Sequence, residues 1–284
     1  MIEAIRGEFE AIQVEGAGPI VTIRLDRPKV ANAINWAMED ELNRTLEACD
    51  RDDRVKCVLI AANGPIFSAG HDIAEVAREK VTGVEPATLD GKYWARTGEL
   101  LPSWGFSKAL VVAVKGFVGP HANALLLTAD AVIAAENTQF SWEETRVGIG
   151  APYGSYALMA FQFPMRVVKQ LWMPGGWMDA ETALRLHYVN RVVPLGEEEA
   201  EALRFAQMYA SMDLENLIAN KRGVHALYEA AGLLDMVKVG REPYAPSGAA
   251  ADEQAEHFRL IHEKGAGAAA RSRDSGFDRG LSKV

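Results

Sequence analysis

Two short segments of the 284-residue chain could aim backbone amides at a substrate. They are Phe67-Ser68-Ala69-Gly70-His71-Asp72-Ile73 and Lys115-Gly116-Phe117-Val118-Gly119-Pro120-His121-Ala122-Asn123. Each follows an apolar run of strand length and leads into a helical pattern. In the first, Gly70 permits a sharp turn, so the N–H groups after it can point into a cleft instead of a ladder. Asp72 with Glu75 three residues on has the form of a capping box, which sets the helix start. In the second, Pro120 suits a first helical position, and the amides around it carry the positive end of the helix dipole. Two such donors converging on one oxygen make an oxyanion hole, each contributing about 2.7–4 kcal/mol in the transition state. Either segment alone reads as an ordinary strand-to-helix turn; the two together point to oxyanion chemistry.

The flanking patterns predict the elements that hold these turns. Residues 20–25 alternate apolar and polar as a half-buried strand does, and Arg27-Pro28 ends the run. Met38, Leu42, Leu46 and Cys49 recur at helical spacing over 36–49, and 55–62 is an apolar run of strand length. Strand, helix and strand recur at 110–114, 120–129 and 131–135, then helix and strand at 180–186 and 190–193. The predicted class is α/β with buried parallel strands. Past Pro194 the strand signals stop, and Glu197, Glu198 and Glu199 favour a helix N-terminus. The expected organisation is a core over 1–195 and a helical C-terminal region over 196–284, broken around 242–251.

Composition narrows the function classes. Thirty basic against 39 acidic side chains give a net charge of −9 and a sequence pI near 5.3, which argues against nucleic acid as a partner. Apolar runs at 109–118 and 124–135 are broken by Lys115 and Asp130, so neither reaches the ~20 residues of a membrane span. Cys49 and Cys57 lie too close to clamp a long loop, and the start of the chain lacks the plan of a secretion signal; a reduced cytoplasm is expected. Familiar signatures fail on spacing. Gly148 to Gly154 has one residue too many for a dinucleotide fingerprint, no P-loop or Gly-x-Ser-x-Gly occurs, and the histidines never pair at metal-ligand spacing.

In this setting the residues resemble the crotonase family, the enoyl-CoA hydratase/isomerase superfamily. Arg27-Pro28-Lys29-Val30-Ala31-Asn32-Ala33-Ile34-Asn35 is similar to its Arg-Pro…Asn-Ala-Leu-Asn segment, and Phe67 to Ile73 to its Phe-Ser-Ala-Gly-x-Asp-Ile loop. Residues 116–130 keep the length of its second oxyanion segment, 139–148 resemble its second catalytic segment, and 179–194 its Ala-Glu-x-Ala…Val-Asn-x-Val-Val-Pro stretch. The resemblance implies a crotonase-like spiral of ββα units with a helical tail that completes the pocket, assembled as a homotrimer or hexamer. It implies an acyl-CoA substrate, with CoA as part of that substrate and no separate cofactor or metal. It also implies oxyanion donors at the backbone amides of His71 and His121, and a substrate-binding set of Ala69, Gly70, His71, Asp72, Ile73, His121, Trp36 and Lys29.

One departure bears on the chemistry. Hydratases of the family use two glutamates; the first falls at Ala124 here and the second at Glu144, four residues before Gly148. A methyl group cannot transfer a proton, so one carboxylate of the pair is missing. Three readings follow: a single-glutamate enzyme of the double-bond-shifting kind, a β-diketone hydrolase using His121 or His71, or a non-catalytic acyl-CoA binder. Ala151 and Pro152 replace the family's Pro-Gly order, and Glu143 adjoins Glu144, so one of the two faces the site. His187 stands where the family has a helix-ending glycine and is expected to cap. Residues 81–108, with Trp94 and Trp104, suit a substrate-covering segment. Arg27 and Lys29 are the first candidates for the phosphates of CoA.

Overall fold

The structure, a computed structural model, describes residues 9–16, 18–82, 102–147, 155–240 and 249–284. Among the described residues the strands are β1 (Ile12–Glu15), β2 (Ile20–Leu25), β3 (Cys57–Ala62), β4 (Ala109–Val114), β5 (Phe117–Val118), β6 (Ala131–Ala135), β7 (Gln139–Ser141), β8 (Trp177–Asp179) and β9 (Arg191–Val193). Six form one sheet in the order β1-β2-β3-β4-β6-β9, parallel except for the β1–β2 edge pair. Val, Ile, Leu and Ala fill β3, β4 and β6 without alternation because both faces of a parallel sheet are covered. Val58, Ile60, Leu110, Val112 and Val132 look into the larger core; Leu59, Val111 and Ile133 look the other way.

The second face is closed by the helix Glu198–Ala210, which places Ala202 and Ala206 against β3, β4 and β6. Chain from beyond residue 195 therefore completes the sheet's own core. The helices Ala249–Lys264 and Ala266–Arg273 pack through Phe258, Ile261 and Ala269 on Ile73, Val76 and Ala77 of the helix Ile73–Thr82. The helix Leu214–Ala230 buries none of its residues and leaves Val224 and Leu227 exposed.

Most element boundaries lie close to their expected places. The third strand starts at Cys57 instead of 55 because the Val55 amide closes a turn on Asp52 O at 2.8 Å. His187 takes a left-handed backbone, φ +59°, just past the helix Ala180–Arg185, as its expected capping role requires. Cys49 and Cys57 are free and buried, and desolvation pushes the Cys49 thiol up to about 12 and the Cys57 thiol higher still. Among the described residues no helix is long and apolar enough to cross a membrane.

Candidate active site

Strand register assembles the site. Strands β5, β7 and β8 form a small second sheet in which Val118 is paired in parallel with Phe140, and Ser68 makes a parallel bridge to Val118. The chain leaves Ser68, Val118 and Phe140 at the same C-terminal edge, the edge at which α/β sheets bind ligands. His71 lies three residues beyond Ser68, His121 three beyond Val118 and Glu144 four beyond Phe140. Three residues far apart in sequence thus start from neighbouring rungs.

The two turns interlock. A Cβ on Gly119 would lie 2.0 Å from the carbonyl oxygen of Ala69, and one on Gly70 would meet the His121 nitrogen at 3.3 Å. Gly70 has φ +90°, a conformation that glycine adopts without steric cost. The amides beside the histidines are engaged: Gly119 N–H donates to Ser68 O at 2.8 Å, Gly70 N–H to Ser68 Oγ at 3.1 Å, and Asp72 N–H to Ile34 O at 2.9 Å. Ile34 N–H donates to Gly70 O at 2.8 Å, so Ile34 pairs with the residues on either side of His71. In such a parallel bridge the N–H of His71 projects from the opposite edge. His121 follows Pro120 in the first turn of the helix Pro120–Thr128, where N–H groups point out along the axis.

Asn32 holds the first turn from below. It is buried with φ +49°; its Oδ1 accepts from Arg27 N–H at 2.8 Å, and its Nδ2 donates to Asn63 O at 2.8 Å and Ile66 O at 3.2 Å. Asn32→Ala strands these three half-buried groups, and urea unfolding is expected to show a loss of about 1–3 kcal/mol.

The side chains at the two turns meet. The imidazoles of His71 and His121 stack with centroids 3.6 Å apart and planes 18° apart, and the Trp36 ring is 6.4 Å from His71. Burial lowers the His121 pKa to about 4; burial and then the neighbouring His121 push His71 well below the ordinary range. Both rings are neutral at neutral pH. Beside His121 lies a cavity of about 60 Å³ walled by Ile34, Leu42, Leu46 and Leu125, with Glu39 and Asn43 as polar members.

Ala124, on the same helix as His121, is buried at 3% exposure and offers only its methyl group. Glu144 sits on the 3₁₀ turn Glu143–Val147, half-buried; desolvation, and then the charge of Glu143, push its carboxyl up to about 8. Asn123 joins that segment to the His121 helix, its Nδ2 donating to Ser141 O at 2.9 Å while Tyr188 OH donates to Asn123 Oδ1 at 3.0 Å. No motif of the sequence singles out Tyr188, whose one local signal is its place beside the capping His187.

Several expectations need correction. Asp72 caps the helix Ile73–Thr82, accepting from Glu75 N–H at 3.3 Å, but Glu75 does not close the box: its Oε2 accepts from Trp36 N–H at 3.1 Å. Arg27 is engaged inside the protein, with Nη1 on Asp72 Oδ2 at 2.9 Å and on Ala33 O at 2.5 Å, which removes it as a mobile phosphate contact. Ile73 packs on the C-terminal helices, whereas Lys29 is exposed on the turn Pro28–Val30. Gly148, Ala151, Pro152, Gly154, Trp94 and most of the expected covering segment, 83–101, lie outside the described residues. Within the described part of that segment, Trp104 stacks on His225 with centroids 3.8 Å apart.

Residues 15–238 match the family model described as enoyl-CoA hydratase/isomerase. The chain belongs to that family, within the crotonase superfamily. It is 29% identical over 222 residues to a protein named "Probable enoyl-CoA hydratase" of Rhizobium meliloti, covering 78% of this chain and 83% of that one. It is 30% identical over 201 residues to the carnitinyl-CoA dehydratase of Salmonella heidelberg, covering 70% and 74%. Among solved structures, an enoyl-CoA hydratase/isomerase from Xanthobacter autotrophicus Py2 superposes with a TM-score of 0.84 at 26% identity, covering 95% and 99%. The family's fold therefore extends over the C-terminal helices as well as the core.

Proposed function

We propose that this chain is an acyl-CoA enzyme that stabilises a thioester enolate and moves a proton with one carboxylate. The observation that carries this reading is the common edge from which His71, His121 and Glu144 leave Ser68, Val118 and Phe140. The N–H groups of His71 and His121 hold the thioester oxygen. Glu144, as carboxylate, takes a proton from the carbon next to the carbonyl; the electron pair moves onto the oxygen, and the two donors stabilise the charge that develops there. The protonated Glu144 then returns the proton at another carbon, which shifts the double bond without water. Ala124 in place of a second carboxylate favours this over hydration. Ala69, Gly70, Asp72 and Ile73 shape the turn, Trp36 borders the acyl side, and Lys29 is the remaining candidate for a CoA phosphate. CoA enters as part of the substrate, and no other cofactor is used. The helical region from residue 196 completes the pocket and assembles a cytoplasmic homotrimer or hexamer, in which the exposed face of Leu214–Ala230 is covered.

Calorimetry with CoA, crotonyl-CoA and acetoacetyl-CoA tests this. Acetoacetyl-CoA is expected to bind at least about tenfold more tightly than CoA, because its enolate-like oxygen occupies the donors. Consumption of a cyclic β-diketone without CoA, lost in His121→Ala, would replace the reading with the hydrolase alternative. Against that alternative, an imidazole titrating near 4 is a weak base at neutral pH. Ala124→Glu is expected to add measurable hydration of crotonyl-CoA, since it restores the second carboxylate.

A further inference from the structure

We propose that Arg273 is a positioning residue for the proton-transfer step: by binding Glu143 it holds that carboxylate on the C-terminal helices and offsets part of its charge, leaving Glu144 to face the substrate. The proposal rests on the assignment of Glu144 as the proton-transfer group.

Two adjacent carboxylates with little solvent need a reason to behave differently, and the structure supplies one. Glu143 Oε2 accepts a hydrogen bond from Arg273 Nη2, and Arg146 Nη1 lies 3.9 Å away. Arg273 also holds Asp274 through Nε at 2.8 Å, and Arg146 Nη1 reaches Asp274 Oδ1 at 3.0 Å. Two guanidiniums and two carboxylates form a closed, neutral network. Side-chain exposures of 7% for Arg146, 13% for Glu143 and 14% for Arg273 mean that solvent screens these three little, while Asp274, at 26%, forms the wetter corner. From the helix Ala249–Lys264, His257 faces Arg273, with Glu253 nearby.

Arg146 seats the turn on the neighbouring loop. Its Nε donates to Pro174 O at 3.3 Å, another nitrogen donates to Gly175 O, and its guanidinium lies 3.5 Å from the centre of the Phe277 ring. Gly175, at φ +68°, lies so close that a Cβ there would be 3.0 Å from Arg146 Cγ and 3.1 Å from Glu143 Cα. The turn is gripped at Glu143 and Arg146, and Glu144 and Thr145 between them have little freedom to exchange places with Glu143. The C-terminal helices that supply Arg273 also pack on the helix Ile73–Thr82, which starts two residues after His71. One element therefore braces both halves of the site. Removing Arg273 leaves more of the charge of Glu143 acting on Glu144, whose proton then becomes harder still to lose.

Titration of the side-chain carboxyl resonances in full-length protein labelled with ¹³C-glutamate tests this without a substrate, the Glu144 signal being assigned by its loss in Glu144→Gln. Arg273→Gln is expected to raise the Glu144 midpoint by about one pH unit, Glu143→Gln to lower it by about one, and Arg273→Lys to stay within about 0.3 of the parent. An unmoved or lowered midpoint in Arg273→Gln would overturn the proposal. Should Arg273→Gln fail to fold, Glu143→Gln decides alone, because it removes the charge that Arg273 is proposed to offset without stranding a carboxylate; an unmoved or raised midpoint there also overturns it. Full turnover in Glu144→Gln sinks the assignment of the base but leaves the titration result standing, so the two failures are separable.

Discussion

Glu144→Gln is expected to lower turnover of an enoyl-CoA substrate by about 10²–10⁴-fold, the usual contribution of a positioned acid–base group, with acetoacetyl-CoA affinity unchanged within about twofold. The amide keeps the size of the carboxyl and removes only its capacity to carry a proton. Burial and the Glu143 charge place the Glu144 titration near 8, so the fraction of carboxylate, and with it the rate, rises with pH and is half-maximal near pH 8. A second sign follows from the same shift. A glutamate titrating above its ordinary value of about 4.5 contributes stability below that value and loses it as pH rises toward 8, because the fold then holds a charge it disfavours. Glu144→Gln is therefore expected to be more heat-stable than the parent above pH 8, a difference that closes by pH 4. Scanning calorimetry at the two pH values checks it: a variant that loses both activity and stability at pH 8 would argue for a structural role.

Gly119→Ala is expected to cost more than about a hundredfold in turnover, since an oxyanion donor displaced from its place costs ~10²–10³. Its Cβ would stand 2.0 Å from Ala69 O, 2.4 Å from Ala69 C and 2.8 Å from Gly70 N, all backbone atoms that no rotamer change can clear. Either the first turn or the helix start has to move, and His71 and His121 move with them. Urea unfolding should show a loss of about 1–3 kcal/mol, the range of an overpacked site. Gly18→Ala, where no described atom lies within 4 Å, is the control and should change neither quantity. Wild-type kinetics in Gly119→Ala would mean that the interlock of the two turns is not what places the donors.

Local elements were legible in the sequence because their causes are local. The alternation over 20–25 comes from one half-buried strand, the left-handed His187 from the end of one helix, and Asp72 as a cap from its own first turn. Partners chosen across the fold were not legible. Glu75 had the spacing to close a capping box, yet it reaches the first amide of the helix Trp36–Asp50, 39 residues away in sequence. Arg27 had the charge for a phosphate, yet Asp72 and Ala33 O take it.

By itself the sequence determined the family, the two glycine-bearing turns and the substitution of Ala124 for a second carboxylate, because side-chain identity and local spacing carry that information. Only the tertiary structure decided that His71 and His121 stack as neutral rings and that Glu143 is claimed by Arg273, 130 residues away, leaving Glu144 desolvated. The physical reason is register. Bridging Ser68 to Val118 and pairing Val118 with Phe140 turns three unrelated sequence positions into one edge, and burial there, not residue type, sets which groups carry charge.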